Sequence, residues 1–134
     1  DGGSTAYAQG DVIYHATSIV TVAGSIYYMD IEGELALADA DAVSTSSTLL
    51  VVALGTNATD GLLLRGTVVL KISPGASPGA PIYLSTTAGT AQAAAPTATG
   101  DVVRVLGYQL TPNGEGDNVN VCYFNPDNTW VELT

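Results

Sequence analysis

The chain has 134 residues, of which only three are Lys or Arg and thirteen are Asp or Glu, giving a formal net charge of −10 at pH 7. So few cations cannot neutralise several phosphates, which excludes binding to a nucleic-acid backbone or to an anionic membrane surface. Because 46% of the residues are hydrophobic, the chain is too apolar for a disordered tail, and we expect one folded, soluble domain.

Short runs rich in Val, Ile, Leu, Tyr and Thr alternate with Gly, Pro, Asn and Asp, which is typical of an all-β sandwich or barrel. The longest apolar run ends at Gly55 and is too short to cross a membrane. No helix is predicted, and residues 88–98 are predicted as an extended loop because Pro96 and several Thr residues disfavour a helix. In chain order, the predicted strands are 11–15, 18–22, 26–30, 34–38, 49–54, 62–72, 81–85, 102–110, 119–124 and 129–133.

The second half of the chain repeats the order of the first. TLLVVALG (48–55) aligns with GDVVRVLG (100–107), TVVLKISP (67–74) aligns with VNVCYFNP (119–126), and Tyr28 aligns with Tyr83. The pattern predicts a compact single domain, 1–134, with an N-terminal arm (1–22) and two pseudo-repeated halves (23–74 and 75–134). The alternative is that β proteins with similar turn spacing align in this way by chance. The Pro-Gly pairs at 74–75 and 78–79 are predicted turns.

A single cysteine and a single histidine limit the catalytic options. Cys122 cannot form an intrachain disulfide, and its place in an alternating strand predicts a buried core residue. A catalytic triad would have to use His15, which ends a predicted strand, and the chain has no Gly-x-Ser-x-Gly elbow. We therefore predict no catalytic residues, no cofactor and no enzymatic activity.

Two clusters of carboxylates are the candidates for a metal site. Asp30, Glu32 and Glu34 would share one face of a strand and could hold calcium, but Gly33 favours a solvated turn. Asp39 and Asp41 lie in a segment with several Ser residues, which is typical of an exposed loop. We predict no metal ligands in either cluster.

Aromatic and cationic residues are the candidates for interface or ligand contacts. Tyr27 and Tyr28 are adjacent, so one should face inward and the other outward. An outward ring could stack on a sugar or pack against another subunit, and either arginine could form an ion pair across an interface. The six candidate contacts are Tyr27, Tyr28, Arg65, Arg104, Tyr108 and Trp130.

The ordered motifs LADA (37–40), LGT (54–56), DGLLLRG (60–66), YLSTTAG (83–89), RVLGY (104–108) and FNPDNTWVE (124–132) cover most of the chain. Together they resemble a small β module of tailed-bacteriophage virion structural proteins, found at the distal ends of tail fibres. A more distant likeness to capsid decoration proteins rests on GAPIYL (79–84). The resemblance implies a β-rich fold, no catalysis and a homotrimer.

From this resemblance we expect a non-enzymatic structural protein of the virion surface, assembled in the bacterial cytoplasm. It would associate with itself and dock to capsid or tail subunits, as a capsid decoration (cement) protein or a tail-fibre module. One alternative is a carbohydrate-binding receptor tip that contacts host glycans through Tyr27, Tyr28, Tyr108 and Trp130. Another is a small hydrolase that uses Glu34, Asp39 or Asp41.

Overall fold

The protein is almost entirely β. A computed structural model describes residues 7–16, 19–115 and 119–134. Within these ranges there is no α-helix, and the only helical turns are two 3-10 segments, Val43–Thr45 and Ala58–Asp60. No helix there has the length and apolar character needed to cross a membrane. The strands are β1 (Ala8–Ile13), β2 (Ile26–Met29), β3 (Leu35–Leu37), β4 (Leu50–Ala53), β5 (Leu62–Val69), β6 (Pro81–Leu84), β7 (Ala91–Gln92), β8 (Val102–Val103), β9 (Val105–Gln109), β10 (Val121–Phe124) and β11 (Val131–Glu132).

Nine strands form one curled antiparallel sheet that makes half a barrel, so the predicted all-β fold class is confirmed. The sheet order is β3-β2-β4-β5-β10-β9-β6-β7, with β1 paired to β5 outside this path. The remaining two strands, β8 and β11, form a separate antiparallel pair in which Val131 lies opposite Val103.

Strand β5 joins the two halves of the sheet. β1 runs along its length, from Ala8 opposite Val68 to Ile13 opposite Leu62. β4 pairs with the first two residues of β5, and β10 pairs with its last four. Because a strand has only two edges, β4 and β10 share the edge that faces away from β1. β5 therefore contacts strands from both halves.

β1 approaches β5 closely at a pair of glycines, Gly10 and Gly66. A Cβ atom on Gly10 would overlap the carbonyl oxygen of Arg65, and one on Gly66 would overlap that of Gln9. Both residues have positive φ angles, 150° and 147°. Part of the predicted N-terminal arm, Ala8–Ile13, is thus a strand of the main sheet.

Backbone hydrogen bonds near β2 and the segment after β3 connect the first half of the sheet with the second. The amide of Ile26 donates to the carbonyl of Gly89 at 2.9 Å, and the amide of Gly89 donates to the carbonyl of Ala38 at 2.7 Å. The amide of Ala40 donates to the carbonyl of Ser85 at 2.9 Å. These bonds hold β2, from the first half, against the β6–β7 turn, from the second.

Apolar residues are buried on both faces of β4. Alternate side chains of a strand point to opposite faces. Leu50 and Val52 enter the main core, which includes Phe124, whereas Val51 and Ala53 belong to a second, smaller cluster with Tyr27. The continuous apolar run of this strand therefore reflects burial on two sides.

Three predicted segments differ from the structure. The strand predicted at 18–22 is wrong: residue 18 lies outside the described residues, and from 19 to 22 only Val20 forms an isolated bridge, to Asn57. The predicted loop at 88–98 contains the two-residue strand β7. The strand predicted at 102–110 is divided at Arg104 into β8 and β9. The predicted Pro-Gly turn at 78–79 is confirmed, since the amide of Ala80 donates to the carbonyl of Ser77 at 3.0 Å.

The order of pairing is the same in both halves, because β3-β2-β4-β5 in the first corresponds to β7-β6-β9-β10 in the second. The predicted residue alignment does not follow this order. Residues 102–103, aligned with the start of β4, form β8 and pair with β11. Tyr28 lies opposite Leu50, whereas Tyr83 lies opposite Val105, three residues beyond the aligned position. The duplication is not confirmed and stays a prediction.

Candidate functional site

An open groove of about 510 Å³ lies where β1, β5 and the segments flanking β4 and β10 meet. Its charged lining residues are Asp11, Arg65 and Arg104. Its apolar lining residues are Leu49, Leu50, Leu64 and Pro126, and hydroxyl and amide side chains complete the lining. We call this feature the Arg104 groove.

Arg104 is fixed by backbone carbonyls. Only 6% of the residue is exposed. Its Nε donates to the carbonyl oxygen of Asp127 at 2.8 Å, and its Nη1 donates to the carbonyl oxygens of Ser46 and Thr48 at 2.7 and 2.8 Å. These bonds connect the start of β9 with the segment before β4 and the segment after β10.

The remaining nitrogen of this guanidinium, Nη2, has no hydrogen-bond partner among the described residues. In the same part of the chain, no buried side-chain nitrogen or oxygen lacks a partner. The Nη2 of Arg104 therefore keeps some accessible surface, and Arg104 is one of the residues that line the groove. It is a rigidly held donor on a side chain that is otherwise buried.

The charge of Arg104 is only partly balanced. Burial lowers the pKa of its guanidinium, and the negative charge of Asp127 acts in the opposite direction. Arginine nevertheless stays protonated at physiological pH. No carboxylate forms a salt bridge with Arg104 among the described residues, and its hydrogen bonds there are to backbone carbonyls. Such a cation favours an anionic group at its open side.

Arg65 also lines this groove, and it forms an ion pair with another residue of the chain. Its Nε and Nη2 both donate to Oδ2 of Asp11, at 3.2 and 2.7 Å. The two side chains are 58% and 60% exposed, so the pair stabilises the fold by at most about 1 kcal/mol. The chain has a net charge of −10 and only three Lys and Arg residues. Two of these three residues line this groove, together with one carboxylate residue.

The four aromatic candidates lie elsewhere. Tyr27 is 5% exposed, and its hydroxyl accepts a hydrogen bond from the amide of Val22 at 2.8 Å, which leaves little surface for a ligand. Tyr28 is half-buried against the main core. Tyr108 is 47% exposed on β9, and Trp130 is half-buried before β11. None of the four lines the Arg104 groove.

Cys122 and His15 both have structural contacts. The thiol of Cys122 is fully buried, and burial raises its pKa to about 11, so the predicted core position is confirmed. The Nε2 of His15 donates to the carbonyl oxygen of Gly33 at 2.9 Å. This bond holds the segment after β1 against the turn between β2 and β3.

The first carboxylate cluster forms the β2–β3 turn, as predicted. Oδ1 of Asp30 accepts hydrogen bonds from the amides of Glu32 and Glu34, at 2.9 and 3.0 Å. Gly33 has the positive φ angle, 81°, that such a turn requires. Asp30 is therefore a turn-forming residue whose side chain is bound to its own backbone.

The second carboxylate cluster also bonds to its own backbone. Oδ1 of Asp39 accepts a hydrogen bond from the amide of Asp41 at 2.9 Å. Desolvation, together with the charges of Asp39 and Asp101, raises the pKa of Asp41. Across the described ranges, no group of three or more His, Cys, Asp or Glu residues is arranged to hold a metal ion.

The sequence identified both arginines but not the groove that contains them. Arg104 was expected to be a candidate for an ion pair across an interface, and within the chain it binds three carbonyls. A signal was present, since the sequence VVRVLG (102–107) places one arginine between apolar residues in a predicted strand. An arginine in that position is usually buried and bonded. The apolar residues that line the groove, including Leu49, have no comparable pattern in the sequence.

Comparison with known proteins adds no assignment to this geometry. No protein-family model, no curated protein and no solved structure matches the chain.

Proposed function

We propose that this chain is a non-enzymatic structural protein of a tailed-phage virion surface, which associates with itself and docks to capsid or tail subunits. Its role would be that of a capsid decoration (cement) protein or a tail-fibre module. The proposal combines the sequence motifs that resemble such modules with the surface of the β core. It implies a rigid domain whose exposed apolar residues are covered in an assembly.

The observation that carries the proposal is the amount of exposed apolar side chain. At least twelve large hydrophobic or aromatic residues of the described part are exposed. Among them, Tyr14 is 72% exposed, Val20 is 82% exposed and Ile31 is fully exposed. Contiguous exposed apolar surface marks sites of protein association. Such surface is expected on a subunit that functions in contact with neighbours.

The outer edge of β1 provides a second surface for association. In the described residues β1 pairs only with β5, which leaves its other edge free. The carbonyl of Tyr7 accepts a hydrogen bond from the amide of Val69, so the backbone polar groups of Ala8 and Gly10 point away from β5. A free edge of this kind can bind an extended segment of another chain by strand addition.

Two measurements test this proposal. Sedimentation equilibrium of the purified chain is expected to give an oligomer, with a trimer as the predicted size. Electron microscopy of tailed-phage particles incubated with a gold-labelled chain is expected to show label on the capsid or on the tail. A chain that stays monomeric at millimolar concentration and labels no particle would contradict the proposal.

The glycan-binding alternative rests on Tyr108, which is the most exposed of the four aromatic candidates. A glycan array separates the two functions. Binding that is lost in Tyr108→Ala would favour a receptor tip, because stacking on a sugar requires the exposed ring. No binding at high protein concentration favours the structural role.

A further inference from the structure

We propose that the Arg104 groove is a docking site for a second copy of this chain, and that its occupant is the acidic β2–β3 turn of that copy, with Ile31 at its apolar tip. This inference deepens the proposed self-association, on which it rests, by naming the two surfaces that meet.

The groove selects for a carboxylate. Arg104 is 94% removed from solvent, given its 6% exposure, and presents one accessible nitrogen with no partner in the described part of the chain. Its position is fixed by three carbonyl bonds, so a ligand would not have to order the side chain. Arg65 is a second cation of the lining, already paired with Asp11. A carboxylate is the anion that a guanidinium binds with favourable geometry in proteins.

The apolar lining of the groove also favours an occupant with an aliphatic side chain close to its carboxylate. Leu49 is 44% exposed, and Leu50, Leu64 and Pro126 are further apolar lining residues. No aromatic side chain is present among the lining residues, which disfavours a sugar ring as the occupant. A peptide segment with both an acidic and an aliphatic side chain could contact the arginine residues and the apolar residues of the groove.

The chain itself presents such a segment. Ile31 is 101% exposed, which makes it the most exposed large hydrophobic residue described. It is followed by Glu32 and, after one glycine, by Glu34, both with exposed side chains. The hydrogen bonds from their amides to Asp30 keep the turn in one conformation, so little conformational entropy would be lost on docking.

The turn cannot occupy the groove of its own copy in this conformation, because Ile31 is fully exposed and is not a lining residue. The base of the hairpin lies beside the groove, since Oγ1 of Thr48 donates to the carbonyl of Met29 at 2.8 Å. Each copy therefore offers one acidic turn and one cationic groove. Contacts between two different surfaces of this kind can close into a cyclic oligomer.

The test uses exposed positions, so that folding is preserved. Ile31→Ser removes the apolar tip, and Leu49→Asp places a carboxylate within the groove that would compete for Arg104. Each change is expected to weaken self-association by about tenfold or more in sedimentation equilibrium. The control is Glu132→Gln, because Glu132 is exposed and lies in neither surface. It is expected to associate like the unchanged chain.

Mixing the two variants makes the test specific. Ile31→Ser keeps an intact groove and Leu49→Asp keeps an intact turn, so an equimolar mixture is expected to associate more strongly than either variant alone. The double replacement Glu32→Gln and Glu34→Gln is expected to weaken association, since it removes the carboxylates and preserves the size of the turn.

Two failures are distinguishable. If the unchanged chain forms oligomers that Ile31→Ser and Leu49→Asp leave intact, the inferred contact is wrong and the proposed self-association stands. If the unchanged chain is monomeric at millimolar concentration, self-association itself fails, and the inferred contact fails with it. Restored association in the mixture, together with weakened association of each variant, is the result that supports the contact.

Discussion

The thiol of Cys122 donates a hydrogen bond to Oε1 of Gln109 across 3.3 Å, and both residues are fully buried. The amide nitrogen of the same glutamine donates to the carbonyl of Thr111 at 2.8 Å. The two residues lie opposite each other on β10 and β9. A polar pair inside the main sheet is therefore satisfied on both sides, as buried polar groups must be.

This pair predicts a loss of stability at alkaline pH. Burial raises the pKa of Cys122 from 9.0 to about 11, so in this interval the unfolded chain loses the thiol proton while the folded chain keeps it. The folded state then binds more protons, and the free energy of unfolding falls as the pH rises, by about 3 kcal/mol in total.

Chemical denaturation of the unchanged chain and of Cys122→Ser, at pH 8 and near pH 11, measures this contribution. Serine can still donate to Gln109 but does not titrate, and the tyrosines are common to both proteins. The free energy of unfolding is expected to fall more steeply with pH in the unchanged chain. Equal slopes would contradict the raised pKa.

The two arginines of the groove differ in their importance for folding. Arg104→Met leaves three carbonyls without their donors and is expected to reduce the free energy of unfolding by about 3 kcal/mol. Arg65→Met breaks an exposed ion pair and is expected to cost less than about 1 kcal/mol. Urea denaturation of the two variants compares them directly, and similar losses would show that Arg104 is not the structural residue described above.

The contact between β1 and β5 tolerates no side chain at Gly66. Gly66→Ala would drive its Cβ into the carbonyl oxygen of Gln9, and the backbone of β5 would have to move. We expect a loss of about 3 kcal/mol or more in the free energy of unfolding. Gly33→Ala is the matched control, because Gly33 also has positive φ but open space around its Cβ position, and its cost is expected to be about 1 kcal/mol.

Asp41 is expected to oppose folding when it is ionised. Its raised pKa means that the folded state favours the protonated carboxyl, so this favourable contribution is present at acid pH and is lost as the pH rises through the folded pKa. Asp41→Asn should therefore raise the melting temperature at pH 7 and leave it nearly unchanged in acid. Glu132→Gln, an exposed replacement with the same change in net charge, is the control. An equal gain in both variants would indicate a general charge effect.

The fold class was predictable because local patterns decide it. The continuous apolar run of β4 and the turn at Gly33 follow from residue type and spacing, and both appear in the structure. The division of the predicted strand 102–110 at Arg104 was not predictable in the same way. It depends on carbonyls of Ser46 and Thr48, which lie 58 and 56 residues away along the chain.

The groove could not be predicted for a related reason. Its ion pair joins Asp11 and Arg65, which are 54 residues apart, and its lining residues come from five separate segments. No sequence pattern encodes which distant segments meet. The sequence did identify the two arginines as unusual, since cations are rare in this chain. Tertiary contacts then determined that one arginine is buried and the other is exposed.

Strand β5 is shared by both halves of the sheet, and this determines how the chain unfolds. β5 is bordered by β1 along one edge and by β4 and β10 along the other, so neither half can detach without exposing this strand. The amides of β5 that are hydrogen-bonded to β1, β4 or β10 should therefore exchange with deuterium only during global opening, and the halves should melt in one cooperative transition.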